Sequence, residues 1–349
     1  MMTADTAYHL KNIQHCYGTK TVLDIPELTL KSGTITGIMG PNGGGKTTLL
    51  KLLAFVNKPT HGQVFYKGKP EMPFSPAVRS KVTLLTQKPY LLKRSVYENI
   101  VYGLKIRKDT KDISHRVNLS LEAVGLDPPR FAGRKWHELS GGEAQRVALA
   151  ARLILKPDVL LLDEPIANVD TKSAKLIRKA SLLARKTLGT TLVIVSHDIQ
   201  WLYSISDRQL SLYNGKLFST GMENIINGPF ILSEQKNMLI KELADGQKIM
   251  LCPPDNLADS SASAAIISKI SKDISLDLET QTEHPLFNQV HGEIISMMLE
   301  KKSGFILVTV SVSDLSFAIR LSREQVGSQE LCPGKRAVLR FRGDEIEWI

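Results

Sequence analysis

A glycine-rich segment between an apolar run and a leucine-rich run constrains this chain more than any other feature. Residues 40–48 read GPNGGGKTT, after the strand-like run 34–39 and before the helical run 49–53. Glycines let successive backbone N–H groups turn toward an anion, and the helix that follows directs its positive dipole end at the same point. This spacing is typical of a P-loop. We therefore predict a strand, loop and helix that bind a nucleoside triphosphate.

The predicted P-loop assigns a chemical role to each residue type. In such a loop the ammonium of Lys46 reaches the β- and γ-phosphates, and the hydroxyl of Thr47 ligates Mg²⁺. The predicted phosphate-binding residues are Gly40, Pro41, Asn42, Gly43, Gly44, Gly45, Lys46, Thr47 and Thr48.

Further motifs follow the P-loop in a fixed order. LSGGEAQR occupies residues 139–146, VLLLDEP at 159–165 reads as a buried strand that ends in two carboxylates, and LVIV at 192–195 is another buried strand, followed by SHD. In this order the motifs resemble those of the ATP-binding subunit of ABC transporters. The resemblance covers about residues 5–228.

The resemblance implies a complete ATP site. Tyr17 occupies the position where the family stacks an aromatic ring on adenine, although an ordinary half-buried strand tyrosine remains an alternative. Gln87 matches the glutamine that contacts Mg²⁺ and the attacking water. Asp163 is expected to hold Mg²⁺, Glu164 to polarise the water, and His197 to contact the γ-phosphate.

The LSGGEAQR motif implies a second cassette. In the family, Ser140, Gly141 and Gly142 begin a helix and bind the γ-phosphate of ATP held by the opposite subunit. Asp170 matches an acidic residue that crosses this interface, and it also fits as the residue that caps a helix N-terminus. Because the chain carries one P-loop and one such motif, we expect a homodimer.

Composition indicates two domains in a reducing compartment. The chain has 349 residues, 42% of them hydrophobic and 23% charged, and we place an ATP-binding domain at 1–230 and an accessory domain at 238–349. The N-terminus lacks a signal-peptide core, and no apolar run approaches membrane-spanning length. The three cysteines fit a reducing compartment, and Cys252 and Cys332 are expected to be small buried residues. The net charge of +10 does not by itself identify a class of partner. The basic clusters have no aromatic residues between them, as a groove that binds single-stranded nucleic acid would have.

The segment between Gln87 and the LSGGEAQR motif is predicted to be helical. Residues 95–100 read SVYENI, which looks like importer-type cassettes, where this helical subdomain docks a membrane subunit. The same residues fit a helix N-cap at Ser95 with an apolar face on Val96 and Ile100. The two interpretations are compatible.

After about Gly228 the composition changes and becomes strand-like. From His291 onward, apolar alternation predicts strands at 292–297, 304–310, 315–319 and 337–341, which suggests a small OB-like barrel. Residues 248–256 look like the first strand of the accessory barrel found after importer cassettes for molybdate, tungstate and related oxyanions. Residues 255–275 are expected to be loop and short strand. The expected fold class is therefore α/β, with a RecA-like core and a helical subdomain, followed by an all-β barrel.

The resemblance implies an ATP-hydrolysing subunit of an importer at the cytoplasmic face of the membrane. Its expected partners are a second cassette, transmembrane permease subunits and a secreted solute-binding protein, with no nucleic acid. An oxyanion such as tungstate or molybdate is the favoured solute, and sugar, polyamine, sulfate and metal uptake are alternatives. A soluble ABC ATPase acting on ribosomes or DNA is a further alternative. The barrel either senses an intracellular solute or only stabilises the dimer.

Overall fold

A computed structural model of the chain describes residues 5–218, 224–226, 228–233, 238–253, 266–268, 275–277, 287–300, 304–344 and 346–348. The chain divides into two compact units, Met1–Gly221 and Met222–Ile349.

The first unit alternates strands and helices. Its described strands are β1 (Thr6–Tyr17), β2 (Lys20–Lys31), β3 (Ile35–Met39), β4 (His61–Tyr66), β5 (Lys69–Pro70), β6 (Val82–Leu85), β7 (Val159–Asp163), β8 (Thr191–Val195), β9 (Arg208–Tyr213) and β10 (Lys216–Phe218). Its described helices are α1 (Lys46–Leu53), α2 (Pro76–Arg79), α3 (Val96–Ile106), α4 (Ile113–Ala123), α5 (Pro128–Phe131), α6 (Gly141–Leu153), α7 (Thr171–Leu188) and α8 (Ile199–Ile205).

A mostly parallel sheet forms the centre of the first unit. Its described strands lie in the order β10-β9-β3-β8-β7-β6, and only the β9–β10 pair among them is antiparallel. Every residue of β3, β7 and β8 is buried, as expected for parallel strands covered on both faces. Because the carboxyl ends of parallel strands meet at one edge of the sheet, the P-loop, the acidic pair and the SHD segment lie at the same edge. The predicted α/β cassette core is confirmed.

An antiparallel sheet packs near the P-loop helix. Its described strands lie in the order β2-β1-β4-β5. One apolar cluster joins β1 and β2 to α1 and to the strands of the central sheet, through residues such as Leu23, Leu49 and Val193. This core fixes α1, and therefore the loop before it, against both sheets.

The segment between β6 and β7 is helical, as predicted. The Ser95 hydroxyl accepts a hydrogen bond from the Glu98 backbone N–H at 3.2 Å, and the Glu98 carboxylate accepts one from the Ser95 N–H at 2.9 Å. This reciprocal capping box confirms the predicted helix start. Val96 and Ile100 are buried in a second apolar cluster, which includes residues of α4, α6 and α7. Over the described residues, we find no helix with the length and apolar character needed to cross a membrane.

The second unit is all-β except for one short helix among its described residues. Its described elements are β11 (Asn224–Ile226), β12 (Ile231–Ser233), β13 (Met238–Glu242), β14 (Lys248–Leu251), β15 (Ile266–Ser268), β16 (Ser275–Asp277), β17 (Phe287–Leu299), β18 (Ile306–Val312), β19 (Leu315–Leu321), α9 (Arg323–Ser328), β20 (Arg336–Arg342) and β21 (Glu347–Trp348). An antiparallel sheet in the order β16-β20-β17-β18-β19 contributes most of a separate apolar core. The strand content is consistent with the predicted small barrel.

Two details of the sequence interpretation are wrong. The strand at Lys248–Leu251 is not the first of its unit, because β12 and β13 precede it and pair with each other and with β14. Cys252 and Cys332 are free but not buried: Cys332 is exposed, and Cys252 is partly exposed. Most of residues 255–275 lie outside the described residues, so the expected loop there stays a prediction.

Candidate functional site

The P-loop connects β3 to α1 in a conformation that only glycine tolerates at its first position. Gly40 has φ +145°, and a β-carbon there would lie 2.1 Å from the carbonyl oxygen of Leu212 on β9. Any side chain at this position would therefore push the loop away from the sheet. Lys46 is the first residue of α1, so the helix N-terminus opens onto the loop.

The Lys46 ammonium lies across the loop that precedes it. Its Nζ donates hydrogen bonds to the carbonyl oxygens of Gly40 at 2.7 Å and Pro41 at 2.8 Å. Burial lowers the pKa of Lys46 from its usual range, and the negative charges of Glu164 and Asp163 oppose that shift. Its two hydrogen bonds go to neutral carbonyl oxygens, so its positive charge can pair with an incoming phosphate.

A hydroxyl and a carboxylate meet at the start of α1 and the end of β7. Thr47 Oγ1 donates a hydrogen bond to Asp163 Oδ2 at 2.8 Å. Burial raises the pKa of Asp163, and the Thr47 hydrogen bond and the nearby Lys46 charge offset part of that rise. A buried carboxylate beside a hydroxyl oxygen is a donor set that hard cations such as Mg²⁺ prefer. No cluster of three or more His, Cys, Asp or Glu side chains with metal-binding geometry occurs in the described ranges.

Glu164 is held in a strained backbone conformation next to His197. It has φ +47°, in the left-handed region that ordinary residues rarely adopt. Its Oε2 lies 2.9 Å from His197 Nδ1 and accepts a 3.3 Å hydrogen bond from the His197 backbone N–H. The Glu164 N–H donates to the carbonyl oxygen of Val195 at 2.9 Å, which anchors the loop to β8. These contacts hold the Glu164 carboxylate in one orientation in the cleft.

These residues surround one open cleft of about 520 Å³. Its lining residues are Val22, Gly40, Pro41, Asn42, Gly43, Gly45, Lys46, Thr47, Thr48, Gln87, Asp163, Glu164 and His197. Sequence reasoning missed Val22, because an apolar residue on a strand carries no signal for ligand contact. Gly44 does not line the cleft. Its N–H donates to the carbonyl oxygen of Pro41 at 3.2 Å.

Tyr17 lies at the end of β1, outside the lining of the cleft. Its side chain is 51% exposed, and its hydroxyl accepts a hydrogen bond from Asn57 Nδ2 at 3.2 Å. About half of the residue is therefore accessible to a ligand. Its role toward adenine stays a prediction.

The LSGGEAQR motif also lies outside the cleft of its own chain. The Ser140 hydroxyl caps α6 by accepting from the Glu143 N–H at 3.2 Å, so Gly141 and Gly142 form the first turn of that helix. Asp170 caps α7, and it accepts hydrogen bonds from the Ser173 N–H at 2.8 Å and the Ser173 hydroxyl at 2.7 Å.

The two caps are in contact. A β-carbon at Gly142 would lie 2.6 Å from Ser173 Oγ and 2.9 Å from Asp170 Oδ2. The start of α6 therefore packs directly on the cap of α7, with room only for glycine.

The second unit has a polar cleft of its own, with a volume of about 560 Å³. Its lining residues are Asp245, Gln247, His291, Gly292, Glu293, Ser311, Ser313, Arg336, Ala337 and Val338. Hydroxyls, a guanidinium and an imidazole are groups that bind anions, but the two carboxylates in the same lining repel an anion.

Comparison with known proteins adds independent observations. The family model described as ABC transporter matches residues 23–167. The tungstate uptake system ATP-binding protein of Peptoclostridium acidaminophilum is 39% identical over 209 residues, which are 60% of this chain and 95% of that protein. The spermidine/putrescine import ATP-binding protein of Mesoplasma florum is 32% identical over 313 residues, 84% of this chain and 89% of that protein. The solved dimeric structure of a bacterial ABC transporter cassette matches with a TM-score of 0.56 and 28% identity, over 60% of this chain and 96% of that chain.

Proposed function

Because this chain belongs to the ABC transporter family, as an ATP-hydrolysing subunit of an import system, we propose that it energises uptake of an oxyanion such as tungstate or molybdate. The observation that supports this solute class is the relative from a tungstate uptake system, which aligns over 95% of its own length at 39% identity.

Binding of the triphosphate begins with an exchange of partners at the P-loop. The phosphates take the place of the Gly40 and Pro41 carbonyl oxygens as partners of the Lys46 ammonium. The backbone N–H groups of the loop and the start of α1 add further donors. Tyr17 stacks on the adenine ring and fixes the nucleoside end.

Hydrolysis depends on the carboxylate of Glu164. It accepts a hydrogen bond from the attacking water and takes its proton as the water oxygen bonds to the γ-phosphorus. The bond between that phosphorus and the β–γ bridging oxygen breaks, and ADP leaves. His197 holds this carboxylate through the 2.9 Å Nδ1 contact and faces the same cleft, from which it contacts the γ-phosphate. Thr47, Asp163 and Gln87 are the residues that would hold Mg²⁺, which neutralises phosphate charge when bound.

The start of α6 completes the site of a second copy. Ser140 and the N–H groups of Gly141 and Gly142 do not line the cleft of their own chain, and together they form a helix N-terminus suited to a γ-phosphate. Two chains arranged head to tail about a twofold axis would each supply this donor set to the other. The similarity to a dimeric cassette supports this arrangement.

The import system requires further partners. We infer that the dimer binds the cytoplasmic face of transmembrane permease subunits through the helical subdomain, and that a secreted binding protein delivers the solute. The all-β unit then either senses intracellular solute or stabilises the dimer.

The solute is tested by uptake in cells that lack this chain. Uptake of tungstate, molybdate, sulfate and spermidine is measured by elemental analysis or radiolabel, with wild-type or Glu164→Gln chain restored. We expect loss of tungstate and molybdate uptake that only the wild-type chain restores, with spermidine uptake unchanged. Normal tungstate and molybdate uptake in the cells without the chain would contradict the proposed solute.

Polyamine import is the second candidate. The alignment with the spermidine/putrescine relative spans 313 residues and therefore extends into the second unit, whereas the alignment with the tungstate relative spans 209. The carboxylates of Asp245 and Glu293 in the cleft of that unit suit a polyamine better than an oxyanion. Loss of spermidine uptake alone in the same experiment would select this candidate.

A further inference from the structure

A buried histidine contacts the ring of Tyr17. His15 is 7% exposed, and its ring is perpendicular to that of Tyr17, with an interplanar angle of 88° and a centroid distance of 4.9 Å. The two residues are two positions apart on β1, so their side chains project from the same face of the strand. An edge-to-face pair at this distance holds both rings in one relative orientation.

The backbone of this strand end is also held in place. The Cys16 N–H donates to the Thr60 hydroxyl at 3.0 Å, and Asn57 donates to the Tyr17 hydroxyl. Both partners lie in the segment after α1. The platform formed by Tyr17 is thus supported on its hydroxyl by Asn57 and at its ring by His15.

The imidazole of His15 is an uncommon choice for packing alone. Both ring nitrogens are buried and have no hydrogen-bond partner within the described part of the chain. Burial of unpaired polar atoms destabilises a fold, and an aliphatic side chain would avoid that cost. His9, another buried histidine of β1, does have a partner: its Nδ1 lies 3.0 Å from Thr29 Oγ1. Among the described residues, the ring that His15 contacts is that of Tyr17.

We propose that His15 is a positioning residue that fixes Tyr17 as the platform for the adenine ring and so sets the base-dependent part of ATP affinity. This inference rests on the proposed role of Tyr17. It predicts that loss of the imidazole weakens binding of the base and leaves binding of the phosphates unchanged.

The test compares ATP with inorganic tripolyphosphate, each with Mg²⁺, by calorimetric titration of the full chain. Because tripolyphosphate has no base, its affinity measures binding at the P-loop alone. We expect His15→Ala to weaken ATP binding about 3- to 10-fold, as loss of one aromatic pair implies, with unchanged tripolyphosphate affinity. His15→Phe restores ATP binding because it keeps a ring at the same place. Tyr17→Ala weakens ATP binding by about ten- to a hundredfold, again without effect on tripolyphosphate.

His9→Ala is the matched control. It removes a buried histidine from the same strand, next to Phe65 rather than Tyr17, and should leave the ratio of the two affinities unchanged. Equal weakening of both ligands by His15→Ala, or no effect on either, would overturn the positioning role. If Tyr17→Ala leaves the ratio of ATP affinity to tripolyphosphate affinity unchanged, the proposed role of Tyr17 is wrong. If Lys46→Ala binds tripolyphosphate normally, the proposed P-loop site is wrong.

Discussion

Replacement of Glu164 by glutamine tests the chemistry of the cleft. The amide keeps the shape of the side chain and one acceptor oxygen, so it can still accept the His197 backbone hydrogen bond that Oε2 accepts now. It has no negative charge and cannot take the proton of the attacking water. We therefore expect ATP binding to persist and the chemical step to fail.

The structure indicates how much turnover the Glu164→Gln variant should lose. The carboxylate is 9% exposed and fixed by two contacts to His197, so bulk water cannot easily replace it as the base. Loss of a positioned general base lowers turnover by about 10²–10⁴-fold, and the rigid, buried setting favours a value near 10³. That factor corresponds to about 4 kcal/mol of barrier. Because ATP stays bound, the variant should also accumulate as an ATP-bound dimer.

The assay measures phosphate release under saturating ATP, together with ATP affinity and the size of the complex in solution. Asp158→Asn is the matched control, since Asp158 lies just before the opposite end of β7 and pairs with Lys67 and Tyr66, far from the cleft. It should lower stability and leave turnover nearly normal. Turnover of Glu164→Gln within about threefold of wild type would remove Glu164 from the mechanism.

Three further outcomes follow from the same structure. Gly142→Ala should destabilise the chain by about 1–3 kcal/mol through the clash with Ser173, and Ser173→Ala added to it should recover part of that loss in chemical denaturation. Hydrogen bonds from Ser173 lower the pKa of Asp170, so its stabilising effect is present above the unfolded-state pKa of about 3.9 and is lost as the pH falls through the folded-state pKa. The difference in unfolding free energy between wild type and Asp170→Asn should therefore shrink below about pH 4, and a constant difference from pH 7 to pH 3 would contradict this. A fragment of residues 1–221 should fold and bind ATP, because all residues of the cleft precede that boundary; failure of a folded fragment to bind ATP in calorimetry would refute it.

The sequence predicted the core of the cassette because its signals are local. Successive glycines before Lys46 and two carboxylates after a buried strand identify strand ends, and parallel strands then bring those ends to one edge of the sheet. The N-caps at Ser95 and Asp170 were also readable, since a capping side chain acts within three residues along the chain.

Features that depend on contacts distant in sequence were not predicted. The approach of Gly142 to the cap of α7 and the strained φ of Glu164 arise from tertiary packing. The exposure of Cys332 was also missed, because burial of a small side chain depends on which neighbours the fold supplies. The place of β14 after three earlier described strands of its unit was also missed, because short strands carry a weak pattern.

The composite nature of the site is the central claim, and mixing two inactive variants tests it most directly. Lys46→Ala removes the phosphate-binding ammonium, and Ser140→Arg blocks the start of α6. With random pairing, half of the dimers contain one variant of each kind, and each of these has one intact site of two. The mixture should then recover about a quarter of wild-type ATPase activity if the two sites act independently. No recovery, with mixed dimers demonstrated by separate affinity tags, would contradict the claim that the LSGGEAQR motif of one chain binds the ATP held by the other chain.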